Sequence, residues 1–232
     1  MLDNRGHRSL SDIARTINDA SDTTSKPIYF YERYESFFAP LRDEPVAIIE
    51  LGVHKGESVK VFSSYFHRGT VVGVDIQDYG LDLTGYGNGH FVVGDQRDDA
   101  HLQQIADRFA PAGFDIIIDD ASHYGSWSKM TFDSLYPRLK PGGLYVVEDW
   151  QPGYWDDWAD GLRYQRNIVE VPKDHIPPRI PSHDAGMVGF VKSLVDEIVD
   201  RPVTVRGSHI GHPAKFDWMH INDTFAVLKK KG

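Results

Sequence analysis

Short runs of β-branched and aliphatic residues, set apart by helical patterns, constrain this chain more than any other feature. Val46-Ala47-Ile48-Ile49-Glu50-Leu51-Gly52, Thr70-Val71-Val72-Gly73-Val74-Asp75-Ile76, His90-Phe91-Val92-Val93-Gly94-Asp95, Phe114-Asp115-Ile116-Ile117-Ile118 and Leu144-Tyr145-Val146-Val147 are each of strand length. Apolar runs of this kind read as strands buried on both faces. Helical periods lie between them. One carries Val59, Phe62 and Phe66, and a second runs from about Asp98 to Phe109 with Leu102, Ile105 and Phe109 inward. A third is expected over Trp127 to Leu139, stopped by Lys140-Pro141-Gly142-Gly143. The alternation predicts an α/β fold with a doubly wound, mostly parallel sheet. Phe216 to Ile221 and Thr224 to Leu228, with Asn222-Asp223 at the turn, predict a C-terminal antiparallel hairpin, and Val203-Thr204-Val205 a further short strand.

The strands end on acids. Asp119-Asp120-Ala121-Ser122-His123 follows the fourth run and Glu148-Asp149 the fifth. Ligands of an open parallel sheet sit at the carboxyl ends of its strands, so four carboxylates and an imidazole are expected to meet in one crevice. Crowded carboxylates raise one another's pKa, and a hard cation with a taste for oxygen ligands relieves that. The competing reading makes these acids helix N-caps and solvated loop ends. The first strand runs into Val53-His54-Lys55-Gly56-Glu57-Ser58, a G-x-x-x-G loop that permits a tight turn and close approach of a ligand to backbone. It lacks the third glycine of a dinucleotide-binding loop, which disfavours a nicotinamide dehydrogenase. Asp75 ends the second strand 23 residues after Gly52, where a carboxylate suits the paired hydroxyls of a ribose.

Four segments are expected: an N-terminal helical cap over residues 1–45, a core over 46–150, a lid-like insertion over 151–183, and a helix with the terminal hairpin over 184–232, all in one domain. In the first, Ser9-Leu10-Ser11-Asp12 has the form of a helix start. The aromatic stretch from Tyr29 to Phe38 holds more rings than one buried helix face needs, so it either packs on several sides or lines a pocket. The third, with Trp150, Tyr154, Trp155 and Trp158 near its start, is either a lid over the crevice or a loop packed on the sheet edge. His183 and Asp184 precede an amphipathic helix carrying Phe190, Leu194 and Ile198.

The net charge of −9 disfavours nucleic acid as a partner, and no apolar run approaches membrane-spanning length. The absence of cysteine removes disulfides, thiolate metal sites and a cysteine nucleophile together. A cytoplasmic location is the default expectation.

Taken together, the E-L-G-V-H-x-G-x-S loop at residues 50–58, the acid closing strand two, I-D-D-A-S-H at residues 118–123, L-K-P-G-G-L-Y-V-V-E-D at residues 139–149 and the terminal hairpin resemble class I S-adenosylmethionine-dependent methyltransferases. The closer resemblance is to metal-dependent sugar O-methyltransferases of the kinds that act on macrolide sugars and methylmannose polysaccharides. It implies a Rossmann-like fold, S-adenosylmethionine as cofactor and Mg²⁺ or Mn²⁺ at the acids. It implies Glu50, Gly52 and Ser58 beside the methionine moiety, Asp75 at the ribose, Asp95 and Gln96 by the adenine, and Asp119 facing the cofactor. Asp120, Glu148 and Asp149 match the metal ligands and His123 the general base. Ala121 stands where the macrolide relatives carry Gly. The acceptor implied is a small molecule or oligosaccharide bearing a sugar hydroxyl, with no nucleic acid or membrane partner. A homo-oligomer is left open. The rivals are a catechol-type O-methyltransferase and a non-catalytic cofactor-binding protein.

Overall fold

A computed structural model describes residues 8–18, 25–155, 157–161, 184–198, 203–205, 208–210 and 213–232. Its centre is a seven-stranded sheet of order β3-β2-β1-β4-β5-β9-β8. The strands are β1 (Ala47–Leu51), β2 (Thr70–Asp75), β3 (Gly89–Val93), β4 (Phe114–Asp119), β5 (Leu139–Glu148), β8 (Phe216–Ile221) and β9 (Phe225–Lys230). β1 to β5 pair in parallel, and β9 is antiparallel to both β5 and β8. This is the doubly wound sheet and terminal hairpin that the alternation predicts. The expected short strand is β6 (Val203–Val205), paired antiparallel with β7 (Ser208–Ile210).

Side-chain alternation along the strands divides the core into two layers. Ile48, Ile116, Ile118, Val146 and Val227 face α1 (Leu10–Ile17), α2 (Ile28–Phe38) and α3 (Glu57–Tyr65). Ile49, Ile117, Tyr145, Val147 and Leu228 face α4 (Asp99–Phe109), α5 (Gly125–Leu135) and α6 (Gly186–Ser193). Ser9 caps α1, its hydroxyl accepting from the Asp12 amide at 3.1 Å. In α2, Phe30, Tyr31, Tyr34 and Phe38 are buried, and Tyr34 stacks between Phe38 and Phe225 with ring centroids 4.7 and 4.6 Å away.

Two expectations need correcting. The helix expected to run to Leu139 ends at Leu135 and tightens into a single 3₁₀ turn over Tyr136–Arg138. Pro137 cannot donate within an α-helix and stops it. Lys140 to Gly143 therefore terminates no helix. It lies inside β5, at an irregularity where Phe114 pairs with Leu139 but Ile116 pairs with Leu144, a place in a strand where Pro141 is tolerated. Beyond α6 the chain likewise tightens to a 3₁₀ turn, so Leu194 and Ile198 do not continue the α-helix. Residues 162–183, including His183 and most of the expected lid, lie outside the described residues. Among the described residues no helix is long and apolar enough to cross a membrane.

Candidate active site

Register and alternation build the site. Glu50 sits two residues after Ile48 on β1, and Glu148 two after Val146 on β5, so both carboxylates turn to the α1–α3 face. Asp120 follows Ile118 by the same step, just past the end of β4. Three adjacent strands thus lay three acids in a row.

The row is closed by a residue that the sequence does not flag. Lys26, immediately before α2, extends its ammonium into the row and lies 2.5 Å from Glu148 Oε1, 3.0 Å from Glu50 Oε1 and 3.1 Å from Asp120 Oδ2. Glu148 Oε1 also accepts a short hydrogen bond from the Tyr34 hydroxyl. Glu50 Oε2 accepts from Ser58 Oγ at 2.6 Å. Burial works against the Lys26 charge, but Asp120, Glu148 and Glu50 outweigh it and hold the pKa above the usual lysine range. Burial, then the Asp120 charge, push Glu148 well above the usual carboxylate range.

A second group adjoins the first through Asp120, whose Oδ1 lies 3.1 Å from His123 Nε2; Asp149 Oδ2 is 3.9 Å from the same nitrogen. Burial disfavours a charged imidazole, yet the hydrogen bond and charge of Asp120, with Asp149 and Asp119 behind it, raise the His123 pKa to about 9. Asp120, His123 and Asp149 offer ligand atoms all within 4.8 Å of one another, as do Glu50, Asp120 and Glu148. Hard oxygen donors gathered this closely, with an imidazole at the edge, fit a divalent cation such as Mg²⁺.

The strand ends open on a cleft formed by two adjoining cavities. A cavity of about 690 Å³ is lined by Lys26, Gly52, Ser58, Asp75, His123 and Asp149, among others. A narrower one of about 130 Å³ runs on past Asp75 between Ile76, Asp95, Gln96 and Trp127. Gly52 belongs to both, at φ +87°, and a Cβ there would lie 2.1 Å from the Asp120 carbonyl oxygen. Only glycine lets the β1 and β4 ends come this close. Asp75 Oδ2 accepts from the His54 amide at 2.7 Å and Oδ1 from the Gln77 amide at 3.1 Å, which fixes the carboxylate at the junction of the cavities. Asp95 gives both oxygens to Arg97, which holds its carboxyl below the usual range, and the Arg97 guanidinium lies 4.2 Å over the Trp127 ring. Gln96 is buried, its amide donating to Thr131 Oγ1 at 2.9 Å. A cleft with a fixed acid at the junction of its two cavities and a flat aromatic beyond it fits an adenosine group.

Asp119 corrects its expectation. It shares the face of Ile117, so strand alternation turns it away from the cleft and under Gln96, whose amide lies 3.4 Å from its Oδ1. It lines neither cavity, and burial raises its pKa to about 6.

Backbone strain collects at the same place. Among the described residues, the non-glycine residues at positive φ are His54, His123 and Asp149, at 48°, 54° and 45°, and all line the larger cavity. Such conformations cost on the order of 1 kcal/mol each and gather where a side chain must be aimed. The turn at His123 is secured from above. Trp158 Nε1 donates to the His123 carbonyl at 3.1 Å, and buried Asp160 accepts through Oδ2 from the amides of Gly125 at 3.0 Å and Met187 at 2.5 Å, joining the starts of α5 and α6. Tyr29, Tyr79 and Trp155, each close to half exposed, stand around the mouth of the larger cavity. The aromatic α2 therefore serves both readings, packing through Tyr31 and Phe38 and lining the cleft through Tyr29 and Phe30. Lys26 and the Arg97 guanidinium escape sequence reasoning, Lys26 because no spacing links it to the strand ends and Arg97 because its neighbour Asp95 reads only as a ligand contact.

Known proteins resemble this chain in sequence and fold. Residues 49–150 match the model of a methyltransferase domain family. The chain is 45% identical over 152 residues to the 8-demethyl-8-alpha-L-rhamnosyl tetracenomycin-C 2'-O-methyltransferase of Streptomyces olivaceus, covering 59% of this chain and 39% of that one. It is 37% identical over 218 residues to the mycinamicin VI 2''-O-methyltransferase of Micromonospora griseorubida, covering 84% of this chain and 49% of the relative. The chain thus spans less than half the length of these curated relatives. Its fold matches the MycE methyltransferase from the mycinamycin biosynthetic pathway, solved in complex with Mg and SAH, with a TM-score of 0.74 at 26% identity, covering 97% of this chain and 54% of that one. Strand order, glycine loop and these likenesses converge on residues 49–150, the stretch that is similar to the methyltransferase domain family.

Proposed function

We propose that the chain is an S-adenosylmethionine-dependent, divalent-cation-dependent O-methyltransferase acting on a sugar hydroxyl of a glycoside. The observation that carries this reading is the continuity of the cleft, in which Asp75 and the group of Asp120, His123 and Asp149 line one cavity. A cofactor held at the first is within reach of an acceptor held at the second. The relatives named as sugar O-methyltransferases support the reaction class.

In this reading Gly52 and Ser58 lie beside the methionine moiety, while Glu50, expected there too, lines neither cavity and sits buried behind Ser58, whose hydroxyl it holds. Asp75 accepts from the ribose hydroxyls, and Asp95 and Gln96 border the adenine. Asp120, Glu148 and Asp149 hold the cation. The cofactor supplies an electrophilic methyl group, and the cation lowers the pKa of a bound hydroxyl. The protein's own work is positioning, because displacement at a methyl carbon is in-line. His123 Nε2 takes the hydroxyl proton, which it can do only as neutral imidazole. The proton that Asp120 stabilises there must first leave. Tyr29, Tyr79 and Trp155 offer ring faces for the C–H face of a sugar and for an apolar aglycone.

The test is a radiolabelled methyl-transfer screen over free sugars, macrolide and polyketide glycosides, methylmannose oligosaccharides and catechols, with and without Mg²⁺. Transfer to a glycoside that stops in excess chelator and returns with Mg²⁺ or Mn²⁺ is the expected result. Transfer confined to catechols would replace the acceptor class. Binding of NADH but not of S-adenosylhomocysteine in a titration would overturn the reading.

A further inference from the structure

The acids proposed to hold the cation are, in two cases of three, acids already holding one. Asp120 Oδ2 and Glu148 Oε1 both contact the Lys26 ammonium, and Glu50 completes its cage. The Lys26 side chain is 8% exposed and those of Glu50 and Glu148 are 0% and 1% exposed, so solvent contributes little to the balance of charge. A divalent ion that takes either shared oxygen must take it from the lysine. An ion that leaves both must sit within a few ångströms of a fixed like charge in a poorly screened place.

We infer that Lys26 is a resident counter-cation that competes with the divalent ion for Asp120 and Glu148, and so sets the affinity of the metal site. This rests on the proposal that the acid cluster holds a metal. Lys26 is thereby a positioning residue for the cation, acting through the carboxylates. Three features argue for it over a plain structural ion pair. The ammonium meets carboxylates from three different strands rather than one partner. It lines the same cavity as His123 and Asp149, so it stands at the site and not behind it. Glu148 has a second donor in Tyr34, which keeps its Oε1 satisfied when the lysine withdraws. Asp120 likewise keeps His123 on its other oxygen. The acids are thus built to lose the ammonium without being left bare. The advantage of a built-in competitor is that the cluster is neutralised in part when no metal is bound, where three bare buried carboxylates would oppose folding.

The test is Mn²⁺ binding, read by the electron paramagnetic resonance of the free ion and by calorimetry, in wild type and Lys26→Met. The Met side chain fills the space and removes the charge. The variant is expected to bind Mn²⁺ at least tenfold more tightly. Equal or weaker binding by a folded variant overturns the inference. Should Lys26→Met fail to fold, the wild-type protein decides by nitrogen-15 resonance of its lysine ammonium groups. The buried Lys26 signal is expected to shift or vanish as Mg²⁺ is added, and a signal that stays unchanged at saturating Mg²⁺ overturns the inference. The metal proposal fails separately. If wild type binds no Mn²⁺ while Lys26→Met gains a site, the role of Lys26 stands and the native metal does not. If neither protein binds, both fall.

Discussion

Nε2 of His123 lies 3.1 Å from Oδ1 of Asp120, three residues earlier on the same turn. The contact makes the imidazole basic, with a pKa of about 9 in place of its ordinary 6.5. A group whose pKa is raised by folding stabilises the fold while it is protonated in both states, and that contribution fades as pH climbs through the folded value. The metal-free protein is therefore expected to lose on the order of 3 kcal/mol between about pH 6.5 and pH 9, from this group alone. Thermal melts across that window measure it. His123→Gln should flatten the slope, and a wild-type profile already flat would contradict the assignment. Saturating Mg²⁺ should bring the histidine back towards its ordinary value, as followed by its ring proton resonances.

Loss of the imidazole separates base from scaffold. His123→Ala is expected to bind S-adenosylhomocysteine and Mn²⁺ as wild type does and to turn over about 10²–10⁴-fold more slowly, the usual scale of general-base assistance. A near-normal rate with an unchanged pH limb would leave the cation alone to activate the acceptor.

Asp75 is held at the junction of the two cavities by the His54 and Gln77 amides. Asp75→Ala should weaken S-adenosylhomocysteine binding by about 1–3 kcal/mol in calorimetry, the range for losing a charged hydrogen-bonding partner. Mn²⁺ binding should not change, since Asp75 is not among the residues grouped with the acid cluster. A coupled loss of both would mean that the turn itself had moved.

Gly52→Ala adds one methyl group where the Asp120 carbonyl oxygen is 2.1 Å away and φ is +87°. Left-handed strain and overpacking together should cost about 2–5 kcal/mol in denaturant unfolding. Cofactor affinity should fall as well, because relief of the clash moves the β4 end. A stability equal to wild type would show that these strand ends do not pack as described.

Trp155 is 50% exposed at the rim of the larger cavity. If it forms part of the acceptor's seat, Trp155→Ala should raise KM for a glycoside about tenfold, with little change in kcat or in cofactor binding; that loss matches one aromatic contact of about 1.5 kcal/mol. An unchanged KM across all accepted glycosides would remove it from the acceptor surface.

Much of this layout can be counted out along the chain. Glu50 and Glu148 each fall two residues after a core isoleucine or valine, so their common face follows from period two once the strands are recognised. The same count, carried through Ile117, puts Asp119 on the opposite face, and the family resemblance obscured that. Pro137 marked the true end of α5, whereas the louder Pro-Gly-Gly signal four residues beyond it belonged to a strand irregularity. Lys26 was not legible at all. It precedes the strands by some twenty residues, and only the docking of α2 through Phe30, Tyr34 and Phe38 onto the sheet brings its ammonium to the acids. The bidentate Arg97–Asp95 pair beneath Trp127 is hidden for the same reason, since ring and guanidinium come from separate elements.

The lysine also bears on where the chain can be cut. The segment that matches the family model, residues 49–150, contains all three acids of the row but not the ammonium they share. Lys26 and Tyr34 come from upstream, and β9, whose Phe225 pairs with Glu148, comes from downstream. An expressed fragment trimmed to the matched borders would expose the sheet face under α2 and leave the anionic row beside it without its ammonium. The smallest piece worth cloning therefore begins before Lys26 and runs through Lys230, and a border drawn by likeness is not a border of the cooperative unit.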